Sequence, residues 1–229
     1  MSSDQEKEAA ARYAAGLVQD GMVVGLGTGT TAVKLVDVLG ERVRDGLKFV
    51  GVPTSERTAE QARALGIPLR TLDEAGRLDL NIDGADEVDP HLDLVKGHGG
   101  ALMREKLVAS AARRFVVMVD ESKLVERLGQ EFAIPVEVVE FGWGTTQRRL
   151  EDLGLTCELR GGQSNPFETD NHNYILDCHV ADARGRTTQE LAGAIKLTTG
   201  VVDHGYFLGM ASLVVIGKTS GDVEVREGQ

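Results

Sequence analysis

Met22-Val-Val-Gly25-Leu-Gly27-Thr28-Gly29-Thr30-Thr31-Ala32 is a short apolar run that enters a glycine- and threonine-rich loop, then a helical pattern reaching about residue 44. Such a strand–loop–helix unit gathers exposed backbone amides, hydroxyls and a helix N-terminus at one place. That makes an anion site, typically for phosphate. The alternation then repeats: strand 47–52, helix 55–65, strand 67–71, strand 78–82, helix 100–112 and strand 114–119. Strands alternating with helices imply parallel pairing through right-handed crossovers, hence an α/β fold with a doubly wound, mostly parallel sheet. A helix over 5–19 opens the chain, with Ala9, Ala10, Tyr13, Leu17 and Val18 as its expected buried stripe.

From Phe132 the pattern changes to strand 134–139, helix 144–153, strands 155–160 and 173–179, helix 188–195 and strand 201–208. This β-α-β-β-α-β order predicts a smaller ferredoxin-like α+β domain. The apolar, β-branched run 212–217 returns to the main sheet as its last strand. The expected division is therefore a catalytic domain of 1–131 plus 209–229, and a lid or oligomerisation domain of 132–208. The glycine-rich stretch 161–167 reads as a mobile hairpin loop.

Two further clusters carry chemistry. The strand 78–82 runs into Asp83-Gly-Ala-Asp86-Glu87-Val-Asp89-Pro90, placing Asp83 at a strand's carboxyl end, the rim where ligands bind in open α/β sheets. Glu87 and Asp89 read as a solvated acidic turn. A calcium loop fits poorly, because Val88 and Leu94 stand where Gly and Glu are needed. The second cluster is Lys96-Gly-His-Gly-Gly-Ala-Leu-Met-Arg-Glu105-Lys106, a glycine hinge leading into strong helix formers. At helical spacing, Glu105 shares a face with His98, Ala101, Val108, Ala109 and Ala112, so its carboxylate is either partly desolvated and suited to proton transfer or a first-turn Glu that complements the helix dipole.

Gly27-x-Gly29-x-x-Ala32 also satisfies a relaxed dinucleotide fingerprint, which opens the rival of a nicotinamide-dependent dehydrogenase. That class wants an acid at the end of the next strand, where Pro53-Thr54-Ser55 stands instead. A Walker-type loop is excluded, since no Gly-Lys-Ser/Thr occurs. A metal-dependent hydride-shift isomerase using Asp83, Asp86, Asp89, His91 and His98 is a further alternative, disfavoured because those groups crowd one flexible loop.

Taken in order, Gly25-x-Gly-Thr-Gly-Thr-Thr31, Asp83-Gly-Ala-Asp-Glu87, Lys96-Gly-x-Gly-Gly-Ala-Leu-x-Arg-Glu-Lys106 and Asp120-Glu-Ser-Lys123 resemble type A ribose-5-phosphate isomerase. So do Pro135-Val-Glu-Val138, Thr169-Asp-Asn-x-Asn-Tyr-Ile-Leu-Asp177 and Gly200-Val-Val-Asp-His-Gly-Tyr-Phe207, and together they cover nearly the whole chain. The resemblance implies an aldose–ketose isomerase of the pentose phosphate pathway. It would interconvert ribose 5-phosphate and ribulose 5-phosphate through an enediolate, without metal or organic cofactor. By position it makes Glu105 the base, has Asp83 and Asp86 hold sugar hydroxyls and assist ring opening, and lets Lys96 stabilise the oxyanion. Thr28, Gly29, Thr30, Thr31 and Lys123 would bind substrate, with Gly84, Ala85, Gly97, His98 and Gly99 as further contacts. His98 interrupts what is commonly a glycine run, so it either touches substrate or caps the helix. A non-catalytic sugar-phosphate sensor would need an attached DNA-binding module, for which 229 residues leave no room.

Composition agrees. A formal net charge of −11 argues against a nucleic-acid-binding surface, so any positive field at a phosphate site must be local; Lys96, Lys106 and Lys123 are its candidate sources. The 25 basic residues divide into 17 Arg and 8 Lys, a bias that suits either a high-salt cytoplasm or GC-rich coding. The polar, acidic opening residues and the lack of a 20-residue apolar run lead to an expectation of a cytoplasmic protein without membrane association. Cys157 and Cys178 are expected reduced and partly buried. A homodimer or homotetramer with a small-molecule sugar phosphate as substrate is the expected assembly.

Overall fold

The computed structural model describes residues 3–228; Met1, Ser2 and Gln229, which the expected catalytic domain includes, lie outside the described residues. In chain order the elements are α1 (Ser3–Gly16), β1 (Val23–Leu26), α2 (Thr30–Arg44), β2 (Val50–Pro53), α3 (Glu56–Ala64), α4 (Leu72–Ala75) and β3 (Leu80–Gly84). There follow β4 (Glu87–Val88), β5 (Leu94–Val95), α5 (Leu102–Ala111), β6 (Phe115–Asp120), a 3-10 turn (Glu121–Lys123), β7 (Ile134–Val138), α6 (Trp143–Glu151) and β8 (Leu155–Leu159). The remainder is β9 (Tyr174–Val180), α7 (Thr188–Lys196), β10 (Val201–His204), β11 (Tyr206–Phe207), β12 (Leu213–Gly217) and β13 (Val223–Glu227). These make two compact units. One comprises the chain up to Ala85, Arg104–Leu124 and the chain from Gly209; the other comprises Asp86–Met103 and Val125–Leu208.

The first unit is built on a six-stranded sheet of order β13-β12-β6-β3-β1-β2, parallel except for β13 at one edge. Its central strands are covered on both faces, which is why β6 is buried along its whole length and reads Phe-Val-Val-Met-Val before ending in Asp120. Helix α2 turns Leu35, Val36 and Leu39 onto the sheet at helical spacing, where they join Val24, Leu26, Ile82, Val116, Met118 and Val215 in one core. Its last turn carries Arg42 and Arg44, which complement the negative end of the helix dipole. Helix α1 buries Ala10, Ala11, Ala14 and Ala15, while Tyr13 is 42% exposed, so the stripe expected from Ala9, Tyr13 and Leu17 is rotated. Four alanines let this helix approach its neighbours closely, and the bulky phenol is left outside.

The second unit holds a four-stranded antiparallel sheet of order β10-β7-β9-β8 with α6 and α7, and a small antiparallel sheet of order β11-β5-β4. The order of its elements, β7-α6-β8-β9-α7-β10, is the one the sequence pattern predicts. Ile134, Val136, Leu150, Leu176, Leu191 and Ile195 form its core.

Several expectations change. Residues 67–71 pair only at an isolated bridge, Gly51 with Leu69, and the chain continues into α4 through a Thr71–Glu74 capping box. The strand expected over 201–208 breaks at Gly205, where a Cβ would lie 2.4 Å from the Lys96 carbonyl oxygen; β10 and β11 then join different sheets. The expected last strand, β12, is followed by β13, paired antiparallel with it. Cys157 and Cys178 are not free thiols. Register places them opposite each other on β8 and β9 with Cα atoms 4.0 Å apart, and they are joined as a disulfide. The 161–167 stretch is a closed hairpin loop, with the Phe167 amide donating to the Arg160 carbonyl at 2.8 Å.

Candidate active site

Parallel strands deliver their carboxyl ends to one rim of the sheet, and in the first unit that rim carries most of the expected residues. After β1 come Gly27, Thr28 and Gly29; at the end of β3 come Asp83, Gly84 and Ala85; after β6 comes Lys123, in a 3-10 turn capped by the Asp120 side chain. Asp83 is fully buried, and its Oδ1 accepts from the amides of Thr28 (3.0 Å) and Gly84 (2.7 Å). The carboxylate therefore ties the loop after β1 to the end of β3. Gly27 makes this possible: a Cβ there would sit 2.0 Å from Asp83 Oδ1 and 2.6 Å from Asp83 Cα.

Gly29 caps α2 with φ 120 and no side-chain hydrogen bond, so the first turn of the helix keeps its donors for other partners. Thr30 is exposed there and Thr31 is buried. The Thr28 hydroxyl turns inward. It lies 2.8 Å from both Thr54 Oγ1 and Ser55 Oγ and 3.3 Å from Thr58 Oγ1, while Thr58 and Thr54 donate to the carbonyls of Gly27 and Leu26. This buried hydroxyl cluster fixes the loop from below and was not anticipated. Its signal was present: Ser55 and Thr58 stand at the N-cap and third helical positions directly after a strand.

Asn81 and Asp83, two residues apart on β3, point to one face of the sheet. Across it, the space above Gly25 is filled by Asn81 Oδ1 and by Val108 of α5. Glu105 lies three residues before Val108 on the same face of α5, as the helical spacing predicts, and is 2% exposed. Val108 and Ala109, on the same face of α5, are buried as well. Asn81 is fully buried, and neither of its amide atoms has a hydrogen-bond partner among the described residues.

The second unit carries Asp86, Lys96, Gly97, His98 and Gly99. The Asp86 amide donates to the Val95 carbonyl at 2.8 Å, and its Oδ2 accepts from the His98 amide at 3.0 Å. Lys96 follows β5 directly and is 2% exposed; its amide donates to Gly205 and its ammonium lies 5.5 Å from the Phe207 ring centroid. His98 is not on the helix, which begins at Leu102. Its ring packs edge-on against Phe132 at 4.8 Å, with Nε2 3.4 Å from the Ala133 carbonyl, and Gly99 beside it is exposed.

Glu87 departs from the solvated turn expected of it. It is fully buried, and its two oxygens accept from the amides of Gly129, Glu131 and Phe132. Burial, with the nearby Glu87 charge adding to it, holds the Tyr206 phenol above its ordinary range. Asp89 does cap its own turn, accepting from His91 and Asp93. Glu137, also buried, accepts from Thr169, Asn171 and Asn173 through Oε1. Among the described residues no three His, Cys, Asp or Glu side chains are grouped as a metal ion would require.

The family model for ribose 5-phosphate isomerase A (phosphoriboisomerase A) matches residues 50–221. The ribose-5-phosphate isomerase A of Synechococcus sp. (strain JA-3-3Ab) is 52% identical over 229 residues, covering 99% of each chain. Among solved structures, ribose 5-phosphate isomerase from Plasmodium falciparum superposes with a TM-score of 0.94 at 40% identity, over 99% of both chains. A D-ribose-5-phosphate isomerase in complex with phospho-erythronic acid gives 0.91 at 38% identity, over 99% of this chain and 100% of that one. With half its sequence shared with such relatives along its whole length, the chain belongs to the ribose 5-phosphate isomerase A family.

Proposed function

We propose that Glu105 carries the proton in the reaction of this family, the interconversion of D-ribose 5-phosphate and D-ribulose 5-phosphate. From aldose to ketose the carboxylate takes the proton from C2 of the open-chain sugar, leaving an enediolate with negative charge at O1. Glu105 then delivers a proton to C1 as the O2 hydroxyl gives up its own to become the ketone and O1 is protonated. Atoms and electrons balance within the sugar, so the chain's own acids and donors suffice. A base held out of water above the sugar carbons and cations or amides at the developing oxyanion are what such a shift needs.

The observation that carries this reading is the burial of Glu105, 2% exposed and one turn before Val108 on α5, whose side chain packs over Gly25 beside Asn81 of β3. Asp83 and Asp86 hold sugar hydroxyls and assist ring opening, and Lys96 stabilises O1. The uncapped start of α2 with Gly29, Thr30 and Thr31, together with Lys123, takes the phosphate, and Thr28 sets that loop. Gly84, Ala85, Gly97, His98 and Gly99 supply backbone contacts. The small-molecule substrate follows the analogue bound by the solved relative. Among the described residues no helix is long and apolar enough to cross a membrane, and we assign the chain to the cytoplasm. We also assign a homodimer or homotetramer, with Phe141 (94% exposed) and Leu197 (86%) of the second unit, the unit given a lid or oligomerisation role, as apolar surface for a second copy to cover.

Glu105→Gln tests the central role. It keeps shape and hydrogen-bonding reach while removing the proton acceptor, so turnover should fall by about 10²–10⁴-fold. Phospho-erythronic acid should still bind, and tritium exchange from solvent into the sugar should vanish in parallel. A folded Glu105→Gln protein with near-normal turnover overturns the assignment.

A further inference from the structure

Arg160 follows β8 directly and is only partly exposed, and its guanidinium is committed on three sides within the second unit. Nε donates to Asp177 Oδ2 at 2.9 Å and Nη2 to Oδ1, a two-pronged pairing with the carboxylate. Nη1 donates to two backbone carbonyls, those of Gly97 and His98, each at 3.2 Å. The guanidinium lies 5.7 Å from the centroid of Phe167, at the end of the hairpin loop. Phe167 in turn covers Gly100, where φ is +82 and a Cβ would meet the ring at 2.4 Å.

The consequence for the loop after Lys96 follows from peptide planarity. In a trans peptide the carbonyl and the next amide point in opposite directions, so fixing one fixes the other. The Gly97–His98 peptide is held at both ends, its carbonyl by Arg160 and its amide by Asp86. The His98–Gly99 peptide has its carbonyl on the same guanidinium nitrogen, which turns the Gly99 amide away from Arg160. Gly99 is exposed, so that amide is presented outward from a fixed frame.

We propose that Arg160, anchored by Asp177, is a positioning residue for isomerisation: it locks the Gly97–His98 and His98–Gly99 peptides so that the Gly99 amide meets the sugar oxygen where negative charge develops. The inference rests on the enediolate reading above. Arg160 touches no reacting atom in this scheme; it acts through the loop it grips.

The test compares Arg160→Met, Arg160→Lys and Asp177→Asn with the wild type, reading kcat and KM for ribose 5-phosphate, inhibition by phospho-erythronic acid, and melting temperature. A loop misplaced by about 1 Å costs on the order of a hundredfold in rate, so kcat of Arg160→Met should fall by about that much with KM changed by less than about threefold. Arg160→Lys keeps the charge without the planar fork and should recover part of the loss. Phospho-erythronic acid carries a carboxylate where the enediolate carries its charge, so its inhibition constant should rise alongside the fall in kcat. A merely structural role would lower the melting temperature and leave that parallel absent. Asp177→Asn should lower kcat alone and add nothing to Arg160→Met, as expected of two groups acting as one unit.

Folded Arg160→Met with kcat and inhibition within about twofold of wild type overturns the proposal. If Arg160→Met does not fold, Asp177→Asn, which preserves volume, decides by the same readouts. A wild type that does not isomerise ribose 5-phosphate removes the enediolate reading and this inference with it. An active wild type matched by its Arg160 and Asp177 variants removes the positioning role alone.

Discussion

Replacing Gly27 by alanine should damage the site and the sheet together, and the size of the effect can be worked from the close approach of β1 to β3. The new Cβ would stand 2.6 Å from the Asp83 Cα, whereas ordinary contact begins at 3.4 Å. Rotating the Asp83 side chain relieves the contact with Oδ1 but not the one with Cα, which is backbone. The strands must then part by about 0.8 Å, which lengthens the Gly27 amide bond to the Ile82 carbonyl from 3.0 Å to about 3.8 Å, outside hydrogen-bond range. Overpacking of this kind costs about 1–3 kcal/mol and the lost bond about 1 kcal/mol more. For a chain of 150–250 residues a melting temperature moves about 2–4 °C per kcal/mol, giving a drop on the order of 10 °C. Asp83 and the Thr28 amide move with the strands, so turnover should fall by about a hundredfold as well. Gly16→Ala is the control, because nothing lies within 4 Å of a Cβ there. Calorimetry and a coupled ribulose 5-phosphate assay would check both effects. Gly27→Ala melting and turning over like the wild type would refute the close-approach argument.

Asp83→Asn should impair turnover strongly, whereas Asp89→Asn should leave it near wild type, since Asp89 serves its own turn; steady-state kinetics on the two variants decides this. Native and denatured chains should show no titratable thiol before reduction and two after it. Opening the crosslink, whose cysteines are 21 residues apart, should cost about 3 kcal/mol in the chain-entropy model, read as a lower melting temperature in reductant. Lys218 bonds Glu121 (3.0 Å) and Glu224, holding both carboxyls below the ordinary carboxylate range. Their contribution to stability is therefore present above the unfolded carboxylate range and fades as pH falls through their lowered values. Lys218→Met should flatten that acid limb in pH-dependent melts; an unchanged limb would show that the pair contributes nothing.

Most of the alternation from β1 to β6 was legible, because α2 carries an apolar stripe of Leu35, Val36 and Leu39 and the strands end in turn residues; the strand expected over 67–71 and the helix α4 are the exceptions. The site motifs were legible because glycine, acid and lysine recur at positions where a strand gives way to a loop. Two-residue strands such as β4 and β5 have no period to detect, and they exist only because β11 supplies a third strand. The strand β13, Val-Glu-Val-Arg-Glu, does alternate, yet the expected sheet ended at 212–217. The Thr71–Glu74 capping box was likewise visible and announces α4. By contrast, the Cys157–Cys178 bond depends on a register that strand prediction does not give. The burial of Glu87 depends on three amides more than forty residues away, and the grip of Arg160 on the Gly97 and His98 carbonyls on a span of more than sixty.

Because β12 lies between β6 and β13, the first sheet is assembled from segments separated by most of the second unit. During synthesis the ribosome releases Val125–Leu208 before Leu213–Gly217. The nascent chain therefore carries β6, an apolar strand with one edge unpaired, for the time needed to make some ninety residues. Such an edge invites pairing with other chains. Expression yield should thus depend on how fast the last segment is translated and on chaperone supply, more than on the stability of the finished fold.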